Sequence, residues 1–292
     1  MASNDVIEMN GYRIAVGEKW FCSDLDLGSL EWRDQDVDRP GGDGRIFGRD
    51  YATPGTVVLT LHSFADSRAE VRRNVRELAA AWRWSSDRAT PGAFTHLSFD
   101  MDGEVGVLFG RPRTFAATVS EVEFDSGHAE ATAEFVPLSD LIFDSVEPSN
   151  SLHISILPNQ SLGLMFPAEA PFFFEGEQTQ RQGQVVNASL VPVPFRVKFN
   201  GPVTNPAVTS TVGGWRIELN TSIAYDQTII VDTMAQTVTR TNDGASFAHV
   251  LTYDSDLSAR LSPGGQEVVF SGRDTTNTAS VDVEWSNASN GF

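Results

Sequence analysis

Residues 194–232 read PFRVKFNGPVTNPAVTSTVGGWRIELNTSIAYDQTIIVD. Phe195, Val197 and Phe199 alternate with Arg196, Lys198 and Asn200, as in a strand with one buried face and one wet face. Gly201, Pro202, Asn205 and Pro206 punctuate the run. Trp215, Ile217 and Leu219 repeat the alternation behind the turn signal of Gly213 and Gly214, and Thr228 to Val231 adds a β-branched run. Strands this closely spaced, with turn chemistry between them, predict a β-sandwich.

Working outward, Leu261, Ser262, Pro263, Gly264 and Gly265 form a turn before a strand expected over Glu267 to Phe270. Upstream, D-G-R-x-F-G-x-D-Y from Asp43 to Tyr51 precedes a strand expected over Val57 to Leu61. The ordered motifs F-x-V-x-F-x-G, N-P, I-x-V-D and L-x-P-G resemble the C-terminal, galectin-like domain of siphophage distal tail proteins, the Dit-like family. The Asp43 segment resembles one found in actinophage distal tail and minor tail proteins. Residues 145–190 match none of these motifs, although Asp140 or Asp144 resembles the family's acidic turn.

The resemblance implies a mainly β fold. Residues 1–150 would form an N-terminal tail-tube-like β-sandwich or barrel with one α-helix, and residues 151–292 a galectin-like β-sandwich reached through a connection over 151–190. It also implies a structural protein of the virion tail tip, assembled in the host cytoplasm and not an enzyme. Its partners would be itself, as a hexameric ring, the tail-tube protein, the hub protein, the tape-measure protein and receptor-binding proteins, with DNA passing through the lumen. No cofactor, no membrane partner and no sequence-specific nucleic acid is implied.

Composition agrees with a globular, turn-rich β chain: 292 residues, 40% hydrophobic, with 24 glycines and 14 prolines. No apolar run reaches the ~20 residues that span a bilayer, and no basic then apolar leader opens the chain. Acidic residues number 39 and basic residues 21, a formal charge of −18. Such a surface repels phosphate; it suits general solubility and also a ring lumen that does not hold DNA. The single cysteine, Cys22, excludes an intrachain disulfide and a thiolate metal cluster, and reads as a buried or half-buried small residue.

Residues 1–30 read as opening strands, with Tyr12, Ile14 and Val16 in alternation. Residues 31–56 are polar and rich in Gly and Pro, which predicts a long loop outside the core, of the kind that is functional or mobile. The convincing helix spans about residues 68–84. Ser67 and Glu70 make a capping box, while Val71, Val75, Leu78, Ala79 and Trp82 share one stripe. Arg72, Arg73, Arg76 and Arg83 fill much of the remaining surface; this is either a solvated face or a contact to a neighbouring subunit, with Arg72, Arg73 and Arg76 the candidates. Strands follow over 97–99, 105–109 and 114–124, the last returning through Asp125, Ser126 and Gly127 to a partner over 129–136. Further strands are expected over 152–157 and through Val281, Val283 and Trp285. The aromatic run from 167 to 174 reads as core or domain interface.

Asp34, Asp36 and Asp38 invite a calcium reading, but an EF-hand loop starting at Asp34 would need glycine and a carboxylate where Arg39 and Arg45 stand. An irregular ion site or a solvated acidic loop remain. Five histidines, His62, His96, His128, His153 and His249, are scattered, with His62 and His96 near strand ends and able to meet in space. No H-E-x-x-H, G-x-S-x-G, P-loop or dinucleotide fingerprint occurs. Carboxylates for glycoside hydrolysis are abundant, and nothing in their pattern selects a pair. The competing class is a carbohydrate-binding sandwich, with Trp215 and Tyr225 as stacking platforms and Arg216 and Asn220 as polar partners. Trp215, in phase with Ile217 and Leu219, is expected to face the core.

Overall fold

The computed structural model describes residues 5–83, 88–101, 103–118, 125–155, 181–274, 276 and 278–290. The chain divides into two compact units, one of residues 1–146 with 289–292, the other of residues 147–288.

The first unit opens with β1 (Val6–Met9) and β2 (Tyr12–Ala15), joined at Asn10 and Gly11, both with positive φ. That is the geometry an Asn-Gly hairpin turn supplies. β3 (Phe21–Asp26) follows. Residues 31–56 are not a structureless loop. β4 (Glu31–Arg33) pairs with β7 (Tyr51–Thr53), and β5 (Val37–Asp38) with β6 (Arg45–Ile46), making a two-stranded arm. Polar and glycine composition hid it, because a ribbon with no buried face carries no hydrophobic alternation.

β8 (Val57–Phe64) leads into α1 (Arg68–Arg83), and then come β9 (Thr95–Met101), β10 (Glu104–Ala117), β11 (His128–Pro137) and β12 (Leu141–Phe143). The main sheet runs β2-β1-β9-β10-β11-β8-β3, with β12 on β10. The two runs expected at 105–109 and 114–124 are one strand, β10, irregular between Pro112 and Phe115; residues 119–124 lie outside the described residues.

Ser67 Oγ accepts from the Glu70 amide at 3.3 Å, so the capping box forms on its Ser side. Val71, Leu78 and Trp82 are buried against one face of the sheet, where β11 presents Ala129, Ala131 and Ala133, small enough to admit a helix. Asn74 shares that buried stripe and donates to Ser63 Oγ at 3.2 Å. Trp82 Nε1 donates to the Glu134 carbonyl at 3.2 Å, giving the buried indole a partner.

The second unit holds two sheets. One runs in the order β13 (Asn150–Ser155), β22 (Ser280–Trp285), β15 (Phe195–Asn200), β19 (Thr228–Asp232), β20 (Thr237–Arg240). The other runs β14 (Gln182–Asn187), β21 (Gly264–Arg273), β16 (Val203–Ser210), β17 (Trp215–Glu218), with β18 (Ser222–Ile223) on β16. Phe195 meets Trp215 at 4.7 Å between ring centroids and Phe199 meets Phe270 at 6.3 Å, so the two inner faces share one core. The aromatic run at 167–174 and the end of the strand expected to 157 lie outside the described residues. After Ala288 the chain returns to the first unit, where β23 (Ala288–Asn290) pairs with β12.

Candidate functional site

The arm is the feature least explained by folding alone. Its cross-strand neighbours include Trp32 opposite Ala52, Arg33 opposite Tyr51 and Val37 opposite Ile46. Trp32 is 63% exposed, Val37 60%, Ile46 55% and Phe47 83%. Arg33 and Arg49 lie 5.3 and 5.2 Å from the Tyr51 ring centroid, which stiffens the proximal half. Gly48 packs so tightly that a Cβ there would stand 2.3 Å from the Gln35 carbonyl oxygen.

Two acidic residues of the arm are engaged within it. Asp36 accepts from the Gly48 amide at 3.0 Å and Asp38 from Arg45 Nε at 3.2 Å. Asp34 is exposed. Among the described residues no group of three or more His, Cys, Asp or Glu is placed to hold a metal ion. Arg45, which spoils the calcium motif, is therefore the partner of one of the aspartates it was read against.

At the root of the arm lies a groove of about 490 Å³, walled by Leu25, Leu27, Leu30, Pro54 and Ile142, with Asp26 and Asp140 among its polar lining. On α1, Arg72, Arg73 and Arg76 are all exposed. Arg73 pairs with Glu70 at 3.0 Å. Arg68, at the first turn, reaches Asp125 at 3.0 Å.

In the second unit the four sugar-contact candidates do not form one platform. Trp215 is 4% exposed and packs on Phe195, so its ring offers no face to a pyranose. Arg216, the next residue, points to the opposite side of the strand and is held by Glu218 at 2.7 Å. Asn220 is exposed, its backbone amide donating to the Val250 carbonyl at 2.7 Å, and Tyr225 is 75% exposed. Trp285 is buried at 6%.

The sequence motifs of this unit have structural roles. A Cβ on Gly201 would stand 2.0 Å from the Ala224 carbonyl oxygen, which explains the glycine closing F-x-V-x-F-x-G. Asp232 of I-x-V-D accepts from Arg196 Nε at 2.7 Å and from the amides of Met234 and Ala235 at 2.8 and 2.9 Å, capping the turn after β19. Leu261 of L-x-P-G is fully buried and bridges to Val193, while Gly264 has φ +90.

Histidines 62 and 96 do not meet. His62 Nδ1 instead lies 3.2 Å from His128 Nε2, and His96 packs edge-on near Phe109 at 6.4 Å. His62 and His128 sit on adjacent strands, a diagonal neighbour relation that needs the β8 to β11 register and leaves no mark in the sequence. Cys22 is half-buried, its thiol pushed up to about 11 chiefly by burial, and is a poor nucleophile at neutral pH. Among the described residues no helix is long and apolar enough to cross a membrane.

Residues 188–288 match the family of the siphovirus-type tail component, C-terminal domain. No curated protein matches the chain. Among solved structures, the Dit protein (gp 19.1) of phage SPP1, described as a paradigm of the hub adsorption apparatus in phages infecting Gram-positive bacteria, aligns with TM-score 0.61 at 12% identity. That alignment covers 98% of this chain and 99% of that one. The phage P2 baseplate in its activated conformation with Ca aligns with TM-score 0.56 at 12% identity, covering 98% of each chain. The same baseplate with Sr gives 0.55 at 12% identity, covering 97% and 98%.

Proposed function

We propose that this chain, a Dit-like siphovirus-type tail component of the virion tail tip, works by closing into a hexameric ring through its first unit and carrying other tip proteins on its second. Its role is structural, and no reaction is assigned to it. The observation that carries the ring is the arm. A two-stranded ribbon standing alone is marginal in water, and one that exposes Trp32, Val37, Ile46 and Phe47 needs a cover. A neighbouring copy supplies one repeatedly and in register, and head-to-tail contacts of this kind close into rings when the rotation permits. The groove at the root of the arm, lined by Leu25, Leu27 and Leu30, offers an apolar seat for side chains of a neighbour. The arginines of α1 add electrostatic orientation on a chain of net charge −18.

The tail-tube protein, the hub, the tape-measure protein and receptor-binding proteins are the partners this reading assigns to the two rims. An acidic lumen would let DNA pass without retaining it.

Sedimentation and negative-stain imaging of the purified chain, alone and with its tail-tube protein, test the ring. A six-fold annulus that Trp32→Ser with Phe47→Ser dissolves is the expected result. Monomers under both conditions, or a ring indifferent to the two substitutions, would remove the basis of the proposal.

A further inference from the structure

We propose that His62 and His128 form a two-histidine site for a divalent transition ion of the Zn²⁺, Ni²⁺ or Cu²⁺ class, on the face of the first unit's sheet that points away from α1. Ser23 Oγ donates to the Thr60 carbonyl at 3.2 Å, so towards His62 Nε2, 3.0 Å away, the hydroxyl oxygen serves as acceptor. In that pairing the imidazole proton sits on Nε2. The lone pair of His62 is therefore on Nδ1 and accepts from His128 Nε2 across 3.2 Å, the two rings lying 15° from parallel with centroids 5.4 Å apart.

This separation fits a shared ion. Two nitrogens each ~2.05 Å from a tetrahedral Zn²⁺ stand ~3.3 Å apart. A ligating histidine also characteristically donates its other ring N–H to an oxygen that holds the ring in place, the part Ser23 plays here. The rings are further held by aromatic neighbours: Phe21 lies 5.6 Å from His62, and Phe64 stacks on His128 at 4.7 Å. Glu130 stands directly opposite His62 in register on the same face and adds negative charge beside the pair. Imidazole donors select borderline ions, so Ca²⁺, which takes oxygen ligands, is excluded. With two protein ligands, water completes the coordination. Binding requires the His128 proton to move from Nε2 to Nδ1, so that the ion replaces the hydrogen bond and both facing nitrogens present lone pairs to it.

Titration of the full chain with ZnCl₂, followed by calorimetry, tests the site, with CaCl₂ as the control ion. One Zn²⁺ equivalent that EDTA removes is expected. His62→Gln or His128→Gln should weaken binding at least tenfold, and Ser23→Ala, which removes a positioning residue, by ~10-fold. His249→Gln and His153→Gln should leave binding unchanged. Should a variant fail to fold, imidazole ¹⁵N spectra of the wild-type chain decide the matter: Zn²⁺ must shift His62 Nδ1 and His128 Nε2 and spare His62 Nε2. Absence of Zn²⁺ binding, binding that survives both His→Gln changes, or shifts confined to other histidines would overturn the proposal.

Discussion

Gly201 and Ala224 approach so closely that a Cβ on Gly201 would stand 2.0 Å from the Ala224 carbonyl oxygen. The obstacle is backbone, which cannot swing aside as a side chain can. Gly201→Ala should therefore cost about 1–3 kcal/mol through overpacking, and more if β18 to β19 must shift. Gly214→Ala is the comparison, since Gly214 has open space around it and carries only a positive φ of +67, worth ~1 kcal/mol. Urea unfolding followed by tryptophan fluorescence would rank them, and equal losses would contradict the steric account.

Trp215 and Tyr225 should behave oppositely when truncated. Trp215→Ala empties a site at 4% exposure and should cost about 3–5 kcal/mol. Tyr225→Ala removes a side chain at 75% exposure and should change stability by no more than ~0.5 kcal/mol. Thermal melts of both variants give the answer; a neutral Trp215→Ala would reopen the reading of that ring as an exposed sugar platform.

Reversing charge on α1 separates a contact from a solvated face. Arg72→Glu with Arg76→Glu, both on the exposed side of the helix, should weaken self-association while changing monomer stability by less than ~1 kcal/mol. Wild-type association should itself weaken as salt is raised. Sedimentation at two ionic strengths would measure both effects, and an unaltered assembly in the double variant would assign these arginines to solvent.

Alkaline pH should destabilise the first unit through two neutral acids. Burial pushes the Cys22 thiol up from 9.0 to about 11. Burial, with Glu77 and Glu18 nearby, pushes the Tyr12 phenol from 10.0 to about 12. The unfolded chain deprotonates first, so the stability these groups contribute is intact below their unfolded values. It is lost as pH rises, across about 9 to 11 for Cys22 and about 10 to 12 for Tyr12. Melting temperature against pH should fall over this range, and Cys22→Ser with Tyr12→Phe should flatten the fall.

Much of the fold was legible because burial imposes a period. Phe195, Val197 and Phe199 on β15, and Val71, Leu78 and Trp82 on α1, are where the alternation and the helical stripe put them. The Asn10-Gly11 turn is equally legible in its dipeptide. The arm was not legible, since Glu31–Arg33 and Tyr51–Thr53 bury no face within the chain. Asn74 was missed because a buried amide inside an apolar stripe reads as a break in it.

The amino-acid sequence by itself determined which segments with a buried face become strands and helix, and where glycine and aspartate stand at turns, because those depend on side-chain periodicity and local backbone chemistry. That Trp215 faces inward follows from its phase with Ile217 and Leu219; only the tertiary structure decided that its partner there is Phe195, and that His62 meets His128 instead of His96. Such meetings depend on sheet order and register, which are fixed by contacts between residues far apart in the chain.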